Sequence, residues 1–337
     1  MRVVLTLALM GALSVLGAPG AAAQEDQCAL TDDRLAEVSG VAADGEHWYV
    51  VNDGGRASTV YVLDRDCTVV DVITGPTDPY DVEDLARAAD GTLWLSDTGD
   101  NDKDRKTVAL ISLTPGGKST VHRLTYPDGP KDSEALLLSR DGVPHLVTKN
   151  PFGTADIYRP AKKLTSPGPT ALEHVGSLTL RPTDTQGGPV PASVGSVLVT
   201  GGAVSPDGTV VALRTYTDAY LYAAPDGDIL AALKREPVRV PLPNEPQGEA
   251  IAIEPDGTLV SMSEGEGSTV RTVSGVTVTA EEAPPTTEAT PEPEPGQTAA
   301  PVVEDDGLAT IPAIGVTTVA VGALLLFMHR RATRKRA

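Results

Sequence analysis

Asp81-Val-Glu-Asp-Leu-Ala-Arg-Ala-Ala-Asp-Gly-Thr-Leu-Trp-Leu-Ser-Asp97 decides how this chain is read. An apolar stretch runs into Asp-Gly, and a second apolar stretch follows and ends in a charge. Asp-Gly favours the positive φ of a tight hairpin turn, so the pattern is strand, turn, strand. The module recurs around Asp44-Gly45, Asp141-Gly142, Asp207-Gly208 and Asp256-Gly257, at spacings of 46, 51, 66 and 49 residues. A period near fifty with hairpin punctuation predicts an all-β chain folded as a β-propeller of four-stranded blades. Five blades use residues 24–280. The long third interval holds a Pro- and Gly-rich stretch, Arg181–Pro191, that reads as a surface insertion, and a sixth, degenerate blade there is the alternative.

Strands of the second module are expected at Leu85–Ala88, Thr92–Ser96, Thr107–Leu113 and Thr120–Leu124. Those of the fifth are expected at Ala250–Ile253, Thr258–Met262, Thr269–Val273 and Val276–Thr279. Counting back seven residues from each Asp of Asp-Gly reaches Glu37, Glu83, Glu134, Thr200 and Glu249. In a propeller the start of the first strand and the end of the second share one face. That face therefore collects Glu37, Glu83, Asp84, Glu134 and Glu249 from strand starts. Strand ends add Asn52, Asp53, Asp97, Asp100, Asn101, Lys149, Asn150, Arg214, Thr215 and Glu264. The Asp-Gly turns belong to the opposite face.

Carboxylates gathered at one channel mouth repel each other unless protons, bases or a cation compensate them. Calcium takes six to eight oxygen ligands, so Glu37, Glu83, Asp84, Asp97, Asp100, Asn101, Glu134 and Glu249 are candidate ligands for it. Asp100, Asp102 and Asp104 copy the first half of an EF-hand loop, but Arg105 stands where that loop needs Gly and Ile111 where it needs Glu. Asn52, Asp53, Lys149, Asn150, Arg214 and Glu264 form the expected ligand-binding rim. Lys149 and Arg214 either balance the acidic ring or, beside a metal, stabilise oxyanion charge as in an ester hydrolase. The blander alternative is that each glutamate caps backbone N–H groups of the neighbouring blade. No Gly-x-Ser-x-Gly elbow and no histidine pair at metal-ligand spacing occurs.

Residues 1–23 carry Arg2, an apolar run and the exit Ala21-Ala-Ala23, which reads as a signal peptide cleaved before Gln24. Residues 281–307 hold six prolines and eight acids without Lys or Arg, the composition of an extended stalk. Leu308–Met328 is uncharged and long enough to span a bilayer, and the basic tail 329–337 places its end in the cytoplasm. No Leu-Pro-x-Thr-Gly motif precedes it. The expectation is a single-pass anchor with residues 24–280 outside the cell. Cys28 and Cys67 are then expected to form a disulfide. The net charge of −19 understates the outer acidity, because every Asp and Glu lies within 24–307. Nucleic acid is excluded as a partner, and an extracellular small molecule or protein is expected.

Val51-Asn-Asp-Gly-Gly55, Asp81-Val-Glu-Asp-Leu-Ala86, Ser96-Asp-Thr-Gly-Asp-Asn101, Asp132-Ser-Glu-Ala-Leu136, Val199-Thr-Gly-Gly-Ala-Val-Ser-Pro-Asp-Gly208, Ala212-Leu-Arg-Thr-Tyr216 and Gln247-Gly-Glu-Ala-Ile-Ala252 together resemble secreted bacterial β-propeller proteins. More distantly they resemble phytase-like and esterase-like propeller domains. The resemblance implies a propeller over about residues 35–275, with Asn52, Asp53, Glu83, Asp84, Asp97, Asp100, Asn101, Glu134, Lys149, Arg214 and Glu249 on one face. Members of the group often carry an acid where this chain has Gly202. A shared fold does not by itself fix a reaction.

Overall fold

The computed structural model describes residues 24–277 and Ala280. The expected leader, stalk, membrane span and tail lie outside these residues. Among the described residues no helix is long and apolar enough to cross a membrane.

After strand β1 (Gln24–Ala29) and a 3-10 turn at Asp33–Leu35, the chain folds as five antiparallel meanders of up to four strands. The first is β2 to β5 (Val38–Ala43, Trp48–Asn52, Ser58–Leu63, Val69–Gly75). The second is β6 to β9 (Val82–Arg87, Leu93–Asp97, Val108–Leu113, Ser119–Thr125). The third is β10 to β13 (Ser133–Leu138, Pro144–Thr148, Thr154–Pro160, Thr170–Thr179). A short helix α1 (Ala192–Gly195) precedes the fourth, β14 to β17 (Val199–Val204, Val210–Thr215, Asp218–Ala223, Val238–Pro241), which carries α2 (Ile229–Ala232). The fifth has only β18 to β20 (Gly248–Ile253, Leu259–Ser263, Thr269–Val273). Its fourth strand is β1, paired antiparallel to β20 from Gln24↔Val273 to Ala29↔Thr269. The expected strand Val276–Thr279 is thereby corrected: Val276 packs into the core and the N-terminal strand takes the outer position. Residues 180–198, where a hidden blade was the alternative, contain no strand.

The first strands pack in a ring, β2 on β6, β6 on β10, β10 on β14, β14 on β18, and β18 on β2. The chain is a β-propeller with these strands around its axis. Each apolar cluster between meanders fills one interface. Val41 faces the cluster shared with the fifth meander and Ala42 the one shared with the second. This is the two-residue alternation of a strand covered on both faces, and it is why the first strands read as apolar runs rather than alternating ones. The outer strands β9 and β13 also touch in parallel at Leu124↔Thr170 and Thr125↔Ala171. The glycines of the five module turns, Gly45, Gly91, Gly142, Gly208 and Gly257, have positive φ, 76° to 95°, as the tight turns require. The Cys28–Cys67 disulfide joins β1 to the turn between β4 and β5, so it staples the fifth meander's outer strand to the first meander.

Candidate metal centre and ligand face

Every first strand carries a β-bulge near its start. Pairing skips one residue between Val38 and Gly40, Val82 and Asp84, Ser133 and Ala135, Val199 and Gly201, and Gly248 and Ala250. The skipped residues are Ser39, Glu83, Glu134, Thr200 and Glu249. A bulge breaks the strict alternation of side chains and re-aims one of them, here at a level where the five strands surround the axis. Counting from Asp-Gly placed Glu37 in this series, but its structural equivalent is Ser39. Asp44 is the first residue after its strand, whereas Asp90 is the third after Arg87, so the count slips by two.

The five bulge residues divide by chemistry. Ser39 and Thr200 donate to the carbonyls of Val82 and Gly248 in the next meander, each at 2.8 Å. Glu83 and Glu134 converge with Asp132: one oxygen of each lies within 4.8 Å of the others, and all three residues are buried. Lys149 Nζ donates to Glu134 Oε1 at 3.0 Å, while Glu134 Oε2 is buried without a hydrogen-bond partner. Gln247 Nε2 donates to Glu249 Oε1 at 2.9 Å. Burial first, and then the charge of Glu83, hold Glu134 well above the usual carboxyl range. Burial likewise raises Asp132. Burial alone would lower Lys149, but the charges around it, Glu134 foremost, raise it well above its normal range. Lys149 therefore stays charged, and the acids beside it hold protons tightly or need a cation.

Asp84, an expected metal ligand, instead caps backbone. It accepts from Leu85 N at 2.8 Å, Leu136 N at 2.7 Å and Gly202 N at 3.0 Å. Those amides lie in the second, third and fourth meanders, so the carboxylate ties three of the five first strands together. Its pKa is raised well above normal by burial, against the pull of the three N–H groups. On its turn-ward side, a cavity of about 420 Å³ is lined by residues near the first-strand ends of all five meanders.

The other predicted residues fall into three places. Asp97 pairs with Arg105 at 2.9 Å and accepts from Asp81 N at 3.0 Å. Asp100 accepts from the amides of Asp104 and Arg105, while its own N–H donates to Asp132 Oδ1 at 2.8 Å. The EF-hand-like segment thus closes on itself, with Asn101 in its turn, and burial raises the Asp100 pKa. Glu37, Asp53 and Glu264 form a separate group between the first and fifth meanders, also with oxygens within 4.8 Å, but Glu37 there is exposed. Asn52 Nδ2 donates to Arg34 O nearby. Asn150 accepts from Phe152 N at 2.9 Å in a local turn.

Arg214, expected on the ligand rim, is fully buried. It pairs with Glu245 at 2.7 Å and donates to Ala250 O and Ser261 Oγ at 2.9 Å each. Gly248 leaves the room: a Cβ there would stand 1.7 Å from Arg214 Nη2. Arg214 is corrected to a tie between the fourth and fifth meanders.

Asp132, Asp81, Arg105, Glu245 and Tyr216 were not foreseen. Asp81 and Asp132 did leave a signal, the repeated pair Asp-x-Glu in Asp81-Val-Glu83 and Asp132-Ser-Glu134.

No protein-family model matches the chain, and no curated protein matches it. Solved propeller structures resemble it in shape. A gluconolactonase from Xanthomonas campestris aligns with 16% identity over 72% of this chain and 78% of its own, at a TM-score of 0.40. A streptogramin B lyase aligns with 10% identity over 75% and 98%, also at 0.40. At that identity the likeness is one of shape, and the fold assignment rests on the strand order and ring closure above.

Proposed function

We propose that this chain is a five-bladed propeller that holds a divalent cation, calcium in an extracellular setting, between Glu83, Asp132 and Glu134 and presents a ligand-binding face around it. The observation that carries the reading is the bare, buried Glu134 Oε2 within a convergent set of carboxylates. A buried unpaired carboxylate oxygen is costly, and a cation removes the cost. The donors are all hard oxygens, which suit calcium, magnesium or manganese. The three acids, with Glu249 also close enough to act on Glu134 and Lys149, outnumber the one ammonium, and a divalent ion would offset that negative excess. The bound ion would supply positive charge at the mouth. Lys149 adds a second, fixed positive charge, and the exposed Tyr80 and Phe152 offer apolar contact to a ligand. Arg105 stacks under Tyr80, 4.7 Å from its ring centre, which steadies that side of the mouth.

Calorimetric titration with calcium tests this. Binding is expected in the native protein and is lost in Glu134→Gln. A native protein that shows neither heat nor a rise in melting temperature with calcium refutes the cation.

Lys149 favours a second reading, a metal-dependent hydrolase of phosphate or carboxylate esters, because its charge stands where it could stabilise an oxyanion. Turnover of chromogenic esters that requires calcium, and is lost in Lys149→Met with calcium binding retained, would support it. Absence of turnover across both ester classes would leave a binding protein.

The leader, stalk and anchor read from the sequence complete the proposal as a cell-surface protein. Cleavage before Gln24 would leave β1 whole for ring closure. A mature N-terminus elsewhere than Gln24, or a domain that protease cannot reach on intact cells, would refute this placement.

A further inference from the structure

The connection from β13 to β14, residues 180–198, crosses the face where the first strands start. Its counterparts at 76–81, 126–132 and 242–247 are short. Thr183 and Thr185 donate to Oδ2 and Oδ1 of buried Asp218, each at 2.8 Å. Gly188 N donates to Glu245 O and Asn244 N to Gln186 O, each at 2.7 Å. Val190, Leu198 and Tyr216, with Val194 at the edge, make a small apolar cluster of their own, apart from those between the meanders. Tyr216 is almost fully buried within it, and Gly188 would meet the Tyr216 Cβ at 2.9 Å if it carried a side chain. On its other side the Tyr216 ring centre stands 5.2 Å from Lys149 Nζ, the ammonium paired with Glu134. The ring that packs against the long connection therefore also lies beside the ammonium that pairs with Glu134.

Size decides how the segment behaves. Inter-meander interfaces bury from seven to seventeen apolar side chains. Leu180 and Val197, near the ends of the segment, belong to the interface of the third and fourth meanders, while the stretch between them buries Val190 in the small cluster with Leu198 and Tyr216. Regions held by few apolar contacts open at much lower free energy than the whole domain. Glu83, Asp132, Glu134 and Lys149 are all buried, so an ion or ligand needs an opening to reach them.

We propose that residues 180–198 are a gate over the candidate metal centre, hinged against Asp218 and Glu245 and latched by Tyr216 over Lys149. The nature of what enters rests on the cation reading above; the motion does not.

The test is acetylation of the intact protein with an amine-reactive ester, following Lys149 by mass spectrometry, with hydrogen exchange of β14 and β15 amides reporting global unfolding. Lys149 is expected to react faster than global unfolding permits. Val190→Ala, which trims the latch, should speed Lys149 labelling about tenfold, the equivalent of ~1.4 kcal/mol of lost packing, and leave the core amides unchanged. Thr183→Val combined with Thr185→Val should act in the same direction without touching the apolar cluster. Labelling of Lys149 only at the global unfolding rate overturns the gate, as does a rate that neither variant alters. Calcium in the same assay separates the two readings: gated labelling that is indifferent to calcium, with no calorimetric binding, refutes the cation and keeps the gate.

Discussion

Removing the Cys28–Cys67 disulfide, as Cys28→Ser with Cys67→Ser, is expected to lower stability by about 4 kcal/mol. The two cysteines are 39 residues apart. Closing a loop of that size removes chain entropy from the unfolded ensemble worth about 4 kcal/mol at 25 °C. With an unfolding entropy of about 2.1 cal/mol/K per residue, a domain of roughly 250 residues should melt ~8 °C lower. The bond also crosses the ring closure, so its loss should show locally. β1 would keep its ladder to β20, the Arg271–Asp26 pair at 2.9 Å and the Leu30–Ser268 backbone bond at 2.8 Å. Its tie to the first meander would be gone. Differential scanning calorimetry gives the melting temperature, and hydrogen exchange at Glu25 to Ala29 reports fraying. A double variant that melts within about 2 °C of the native protein, with β1 amides equally protected, would show that the ladder alone closes the ring and would refute the reasoning.

The metal-free protein should become less stable as pH rises above about 4 to 5. Glu134 and Asp132 have folded-state pKa values raised above their unfolded ones, so the native state binds more protons in that window and loses stability through it. Urea melts at pH 5 and pH 8 measure this, and calcium should reduce the difference; a stability that climbs steadily from pH 5 to 8 without calcium contradicts it. Asp84→Ala removes the acceptor for Leu85 N, Leu136 N and Gly202 N, and three buried amides left without it, at about 1–3 kcal/mol each, should cost at least about 3 kcal/mol in denaturant melts. A loss below about 1 kcal/mol would mean that water replaces the carboxylate. Gly40→Ala would place a Cβ 2.5 Å from Leu85 N, a backbone atom with little freedom to retreat. Overpacking of the inner ring should then destabilise by about 2–3 kcal/mol or prevent folding, and a neutral effect would mean that the ring expands.

Much of the fold was legible because Asp-Gly fixes a turn locally, and five such turns mark five hairpins. The outer strand of the last meander was not, because a repeat period is blind to which terminus supplies the missing strand. The strand beside β20 comes from Gln24–Ala29, about 245 residues away along the chain. At the site, Glu83, Glu134 and Lys149 were legible as recurring charges on one face. Glu37 was misaligned because counting from Asp-Gly assumes that the Asp holds the same place in every turn, and Asp44 stands two residues earlier than the others. Ser39 was hidden for the same reason, since a bulge is a property of pairing between strands and leaves no mark within one of them. Asp84 and Glu83 are neighbours of the same chemical type with opposite roles. One meets amides and the other meets acids, and only the arrangement of the other strands around the axis tells them apart. Arg214 looked like a rim charge because strand ends are commonly exposed; here the partner Glu245 arrives from a different connection.

Asp84 has a consequence for the molecule as a scaffold. A carboxylate that binds amides of the second, third and fourth meanders ties their first strands together, between the acidic cluster at the strand starts and the cavity toward their turns. Cargo attached or loops grafted at the Asp-Gly turns would sit at the opposite ends of the first strands from the acidic mouth, with this framework carboxylate between them.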